Sequence, residues 1–363
     1  MGSDRPVAVG FVGCGNIAGP YGKAMLSHKD ELAIVGAYDI DGERAKAFTD
    51  EFGGRTFESY ESMLNCDEVE LVVNLSIHLA HAETTMQALE AGKHVHSEKP
   101  LATGRKEGQA VVELAEARGL LLSCSPFVIL GEAQQTLWEA VRDGMVGEPI
   151  EAMAEMMHGR IESWHPNPAP FYGEGAGPML DVGCYPLNIL TSILGPVAAV
   201  RGAAAIRIPE RTIASGPKQG ETFTVTTPDH VNGLLQFECG AGGRLGASFT
   251  VAKTVHTGVE IQGTEGALRL ESPTAFNSQI SFCPIGEKEW KPVPYVAEPF
   301  KGIEWCRGIL DLAEAIRQDR PPRCSGEQAN HILDICLSIL DAAKTGQEVA
   351  LSSTFTRPAP AYE

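Results

Sequence analysis

Residues Val7 to Ala18, VAVGFVGCGNIA, leave the start of this chain few ways to fold. An uninterrupted apolar run, Val7–Val12, stops abruptly at Gly13-Cys14-Gly15-Asn16-Ile17-Ala18. Such a run marks a strand buried on both faces of a parallel sheet. Gly13 lets the chain turn tightly off the strand, and Gly15, without a Cβ, leaves the backbone open to a pyrophosphate. Ala18 is small enough for the following helix, read over 17–27, to pack on the strand. The first N–H groups of that helix, at Asn16 and Ile17, and its dipole suit phosphate. A second strand, Leu32–Tyr38, ends in Asp39, placed to accept hydrogen bonds from an adenosine ribose. A bare glycine match is weak; strand before, helix after and acid at the next strand end give it weight. The plain alternative is a strand–turn–helix that binds nothing.

The chain has 363 residues, more than one core usually serves, and divides into a first domain at 1–125 and a second at 126–363. A net charge of −18 argues against nucleic acid and against anionic membrane surfaces as partners. Phosphates of a cofactor would meet backbone N–H groups instead. Nine scattered cysteines without a C-x-x-C fit reduced thiols in a cytoplasmic protein better than disulfides or zinc. Cys14 and Cys184 are read as small packing residues. The N-terminus MGSDRPVAV shows no signal peptide, and no run of about 18 apolar residues is present to span a bilayer.

Along the first domain, strands at 7–12, 32–38, 71–75, 94–97 and 120–123 alternate with helices near 17–27, 41–52, 59–64, 80–90 and 104–118. This is the grammar of a doubly wound α/β sheet with ligands at the strand carboxyl ends. Gly13, Asp39, Ser76, Glu98 and Lys99 each follow a strand and so share that edge. Then come a helix at 132–143, a strand at 150–158 and a loop rich in proline and aromatics at 160–177. A helix at 178–194 follows. Strands at 197–208, 221–226, 230–238, 244–251, 258–262 and 267–271 read as an antiparallel meander. Helices at 303–318 and 325–344 precede a proline-bearing tail, 357–363, read as frayed or packed on a neighbour.

Three clusters carry chemistry. In His94-Val95-His96-Ser97-Glu98-Lys99-Pro100, Lys99 is held at the cofactor edge and biased to extended backbone by Pro100. An oxidised nicotinamide nearby, together with desolvation, lowers an ammonium pKa enough for it to take a hydroxyl proton; the alternative is a solvated surface lysine. In GPMLDVGCY, Asp181 and Tyr185 lie four apart on one helix face, an acid beside a phenol. The alternative there is an acid that merely complements the helix dipole, with a core tyrosine. In Trp164-His165-Pro166-Asn167-Pro168 with Phe171-Tyr172, aromatics and one histidine make either a wall for a sugar or a loop stapled by its own rings. His78 and His81 lack a third ligand, so no metal is expected; His81 reads as a helix-start histidine near the cofactor.

VGCGNIA, the stretch from Ser76 to His81 with AGKHVHSEKPLA, GMVGEPIEAMAEM and GPMLDVGCY together resemble the glucose–fructose oxidoreductase/inositol dehydrogenase/rhizopine-catabolism (Gfo/Idh/MocA) family along nearly the whole chain. WHPNPAPFY, SPFVILG, GPVAAVRG and QGTEGALRL look like its sugar-dehydrogenase members. The resemblance implies an N-terminal Rossmann domain and a C-terminal α+β domain with a large open, mainly antiparallel sheet. It implies a homodimer or homotetramer through that sheet. It also implies Lys99, Asp181 and Tyr185 as the catalytic set; Trp164 and His165 are expected on the substrate from the aromatic loop reading above. Many members carry histidine where this chain has Tyr185, which moves the base toward Lys99 and leaves Tyr185 holding the reacting oxygen. Ser76-Ile77-His78 replaces the usual Thr-Pro-Asn, which removes an expected side-chain contact to the cofactor.

Asp39 repels a 2′-phosphate and Ile40-Asp41 offer no arginine, so NAD is expected rather than NADP. The expected cofactor contacts are Gly13, Gly15, Asn16, Ile17, Asp39, Ser76, His81, Glu98 and Lys99. The expected reaction moves hydride between a secondary hydroxyl of a sugar, sugar derivative or cyclic polyol and the nicotinamide. Two alternatives stay open: glycoside cleavage or elimination through transient oxidation, and a non-enzymatic sugar or nucleotide sensor.

Overall fold

The computed structural model describes residues 5–362. Residues 1–4 and Glu363, the outer ends of the two domains read from the sequence, lie outside the described residues. The chain forms two compact units. One runs to Leu130 and takes in Glu304–Asn330 as well; the other holds Gly131–Ile303 and His331 onward. The break therefore falls after Leu130 rather than at 125. The segment 304–330, which the linear division leaves in the second domain, packs with the first.

In the first unit, β1 (Val7–Val12), α1 (Ala18–Met25), β2 (Leu32–Tyr38), α2 (Gly42–Phe52), β3 (Arg55–Thr56), α3 (Tyr60–Leu64), β4 (Leu71–Asn74), α4 (His81–Glu90), β5 (His94–Ser97), α5 (Arg105–Arg118) and β6 (Leu122–Cys124) follow in turn. The strands lie in the order β3-β2-β1-β4-β5-β6, all parallel. The order reverses between β1 and β4, where an open α/β sheet leaves a crevice at its carboxyl ends. Every residue of β1 and β4 is buried, the apolar ones as expected and the polar Asn74 with them. The helix Arg307–Gln318 closes on this sheet through Gly308, where a Cβ would lie 2.6 Å from the His96 ring.

In the second unit, α6 (Glu132–Arg142), β7 (Pro149–Met157), α7 (Cys184–Leu194), β8 (Val197–Ala205), β9 (Glu210–Thr212), β10 (Thr222–Thr224), β11 (His230–Phe237), β12 (Gly242–Ser248), β13 (Gly258–Gly263), β14 (Gly266–Leu270), β15 (Ile280–Pro284), β16 (Lys291–Pro292) and β17 (Val349–Ala350) build two sheets. β9 and β10 form a separate ribbon. The nine-stranded sheet runs β16-β15-β14-β13-β7-β12-β11-β8-β17. It is antiparallel except where β7 and β12 run parallel. The simple meander is thus corrected: β7, from far earlier in the chain, inserts between β12 and β13. β11 alternates buried Val231, Gly233, Leu235 and Phe237 with exposed Asn232, Leu234 and Gln236. One face of the sheet is therefore core and the other open. Ile339 packs on the core face at Gly202 and Gly233.

The tail is ordered on its own unit rather than frayed. Arg357 donates to the Ile193 carbonyl at 2.9 Å, and the Ala361 N–H to Gln135 Oε1 at 2.7 Å. No helix among the described residues is long and apolar enough to cross a membrane.

Candidate active site

Within the first unit, the phosphate turn is held open by its neighbours. Gly13 has φ +87, and a Cβ there would sit 2.6 Å from the Leu75 carbonyl, so no other residue fits. A Cβ at Gly15 would meet nothing within 4 Å, so the backbone there faces open space. The N–H groups of Gly15, Asn16 and Ile17 donate to no acceptor among the described residues, while Ala18 N–H closes onto the Gly15 carbonyl at 3.0 Å. These donors, the free space and the N-terminus of α1 fit a pyrophosphate. Asp39 tightens the same turn: one oxygen accepts from Cys14 N–H at 2.6 Å, the other from Asp41 N–H at 2.8 Å. Each oxygen keeps a lone pair for a further donor. Burial, with the Asp39 charge, pushes the Cys14 thiol up to about 12, which leaves it an inert packing residue.

The next strand ends are built on polar groups that local sequence does not announce. Asn74, fully buried, donates to the His81 carbonyl and to Thr85 Oγ1, both at 3.0 Å. Its Oδ1 accepts from Ser76 N–H at 3.1 Å and from Ser76 Oγ at 2.7 Å. The His81 ring lies between two carbonyls, Pro100 O at 2.7 Å from Nδ1 and Ser76 O at 2.9 Å from Nε2. Burial lowers its pKa, against the pull of the two carbonyls and the Glu98 charge. The imidazole is thereby wedged between the Ser76 turn and the Lys99-Pro100 turn.

Glu98 turns inward. Its Oε1 accepts from Tyr21 OH at 2.7 Å and Ser125 Oγ at 3.0 Å, and its Oε2 from Lys99 N–H at 3.0 Å. His96 continues this network to Ser123 Oγ at 2.7 Å, and burial takes its pKa down to about 4. The side chains of Glu98 and His81 thus hold the Lys99 turn from behind. Lys99 itself is half-buried, with a cis peptide bond to Pro100.

Trp164, His165, Asp181 and Tyr185 all belong to the second unit. Asp181 lies in a π-helical turn, Met179–Gly183, that runs into α7 at Cys184. Sequence spacing alone reads this stretch as plain α-helix; one such wide turn inside a helix is a common feature of functional sites. Asp181 and Tyr185 are half-buried, and the Asp181 charge reaches His165. Tyr172, grouped with the aromatic wall on sequence, is instead fully buried. Its hydroxyl donates to Glu162, and its ring lies 4.4 Å under the Arg211 guanidinium. Arg211, buried, also donates to Glu162 at 2.7 Å, Asp229 at 2.6 Å and the Phe249 carbonyl at 3.2 Å. The loop is anchored at Tyr172 and open at Trp164, which is 56% exposed. Asn74, Tyr21 and Arg211 are the residues that sequence reasoning missed. Only Asn74 left a trace, as an amide inside the otherwise apolar strand read at 71–75.

The sheet order, the reversal at β1/β4 and the phosphate turn define a dinucleotide-binding α/β protein with a second, sheet-bearing unit. Two family models extend this. Residues 7–125 match the oxidoreductase family with NAD-binding Rossmann fold, and residues 134–269 match the GFO/IDH/MocA C-terminal domain. The chain belongs to the Gfo/Idh/MocA oxidoreductase family. It is 27% identical over 347 residues to a dTDP-3,4-didehydro-2,6-dideoxy-alpha-D-glucose 3-reductase from Actinomadura kijaniata, covering 94% of this chain and 96% of that one. It is 26% identical to D-xylose 1-dehydrogenase (NADP(+)) 2 of Haloferax volcanii, covering 90% and 94%. Its fold matches levoglucosan dehydrogenase in complex with NADH and levoglucosan, with a TM-score of 0.82 at 18% identity, covering 96% of this chain and 100% of that one.

Proposed function

We propose that this oxidoreductase moves hydride between a secondary hydroxyl of a sugar, sugar derivative or cyclic polyol and the nicotinamide of NAD. One observation carries the reading. The open phosphate turn at Gly13–Ile17 and the braced Lys99 turn belong to strand ends of one sheet. Relatives named as sugar and sugar-nucleotide dehydrogenases or reductases support the substrate class.

Gly15, Asn16 and Ile17 hold the pyrophosphate through backbone N–H groups, Gly13, whose own N–H donates to the Tyr38 carbonyl at 2.9 Å, makes the turn that presents them, and Asp39 takes the ribose hydroxyls. The dinucleotide, when bound, supplies the hydride acceptor or donor. Lys99 Nζ takes the proton of the reacting hydroxyl and returns it in the reverse direction. Tyr185 holds the reacting oxygen, Asp181 orients a neighbouring hydroxyl, and Trp164 and His165 bound the sugar. Asp39 supports NAD over NADP, because its carboxylate stands where a 2′-phosphate would bring charge. Arg44, the nearby cation, is paired with Asp41 at 3.3 Å. The open sheet face, which displays Arg201, Leu234 and Arg244, is proposed as the contact between copies in a homodimer or homotetramer.

A panel of aldoses, anhydrosugars and inositols with NAD and with NADP, followed by absorbance of the reduced nicotinamide, tests the reading. Turnover of a sugar, faster with NAD, is expected. No reduction across the panel with the cofactor bound would contradict it.

A further inference from the structure

The aromatic loop holds its histidine in one protonation state. The Asn167 N–H donates to His165 Nδ1 at 3.0 Å. Asn167 is itself fixed, its Oδ1 accepting from Lys218 Nζ at 3.1 Å. The adjoining Pro166 rests on Gly216, where φ is +78 and a Cβ would lie 2.6 Å from the proline ring. His165 N–H donates to the Ile161 carbonyl at 2.9 Å. The imidazole stands edge-on between Trp164, 5.4 Å away at 81°, and Phe171, 5.0 Å away at 69°. The ring is therefore fixed at its backbone, on both flanks and at one nitrogen.

That nitrogen decides the chemistry. A lone pair on Nδ1 that accepts an N–H carries no proton, so the ring proton sits on Nε2. Protonating Nδ1 as well would set two N–H groups against each other. Burial also disfavours the charged ring, although the Asp181 carboxylate pulls the other way. Nδ1 is engaged and Nε2 already protonated, so this histidine is placed to give a hydrogen bond and not to take a proton.

We propose that His165 is a neutral Nε2–H donor to an oxygen of the bound sugar, its tautomer set by Asn167 N–H, with Trp164 as the apolar wall beside it. The site selects an uncharged polyol oxygen flanked by C–H groups. This rests on the sugar-oxidoreductase reading, and it separates the two histidine roles such a site could use: the base lies elsewhere, at Lys99.

Two measurements on the NAD-loaded full chain test it. With 15N-labelled histidine, and the His165→Gln spectrum for assignment, the ring of His165 shows an unprotonated Nδ1 and a protonated Nε2 at neutral pH. The Nε2 signal moves when D-glucose, D-xylose or levoglucosan is added. In kinetics with whichever of these three is turned over fastest, His165→Ala raises the sugar KM roughly tenfold, the worth of one hydrogen bond, with the KM for NAD unaltered. His165→Gln, whose amide N–H₂ reaches the Nε2 position, recovers most of that loss. A ring protonated at Nδ1, a glutamine variant as impaired as the alanine one, or an unaltered sugar KM in His165→Ala overturns the proposal. If no member of the wider panel of aldoses, anhydrosugars and inositols is oxidised while the ring is still Nε2–H, the reading of the reaction fails and the donor state of His165 stands.

Discussion

Asp39 does two jobs with one carboxylate: it fastens the phosphate turn through Cys14 N–H and, in the proposed reading, receives the ribose. Replacing it by alanine is expected to raise the KM for NAD about tenfold, roughly one charge-assisted hydrogen bond, and to improve NADP relative to NAD. Steady-state kinetics with both cofactors measure the ratio; an unchanged preference would remove Asp39 from the selection. Asn74 works behind the scenes. Asn74→Ala strips partners from Ser76, the His81 carbonyl and Thr85 in a dry interior, and a loss of about 2–4 kcal/mol in urea unfolding is expected. At this scale the sequence showed those residues whose role is local. Gly13 and Asp39 were legible because a turn and a strand end define them. Glu98 and His81 were legible only as positions. Their inward hydrogen bonds depend on Tyr21, Ser125 and Pro100, which lie far off in the chain or across a turn.

The loop 161–172 is an element with a fixed end and an open end. Arg211 sits between two buried carboxylates, Glu162 and Asp229, and under it lies Tyr172. Arg211→Met leaves both carboxylates without their cation, which typically costs about 3–5 kcal/mol, and frees the loop that carries His165. A lowered unfolding midpoint with a raised sugar KM is expected; a variant as stable as the parent would show that the cluster is not the anchor. The same contrast explains which elements could be read. Val7–Val12, Leu32–Tyr38 and His94–Ser97 coincide with their sequence boundaries; the first does so because a strand buried on both faces is written in apolar residues. Arg55–Thr56, Lys291–Pro292 and Val349–Ala350 escaped notice because two-residue, exposed edge strands have no period to detect. The π-helical turn at Asp181 escaped because it differs from an α-helix in hydrogen-bond register, not in residue type.

At the scale of the molecule, the fold rejects the charged form of buried histidines in both units. His96 in the first unit and His331 in the second are both brought down to about 4, chiefly by burial. His331 accepts the Val197 N–H at 2.9 Å and meets Ser353 Oγ at 2.9 Å, so it also secures the tail. Between pH 4 and 6.5 the unfolded chain binds more protons at these two sites than the folded one. Stability is therefore full above about pH 6.5 and falls as pH drops toward 4, by up to about 3 kcal/mol for each histidine. Urea midpoints measured across this range are expected to fall with pH; a flat profile would contradict the buried neutral rings. Lys99 is proposed as the group that moves the proton in NAD-linked oxidation of a sugar. The most direct test is Lys99→Met, assayed for NAD binding by calorimetry and for turnover of the best panel sugar. The expected result is NAD affinity within a few-fold of the parent and turnover lower by about 10²–10⁴, the usual worth of a general base. A variant that binds NAD and turns over the sugar at the parental rate would contradict it.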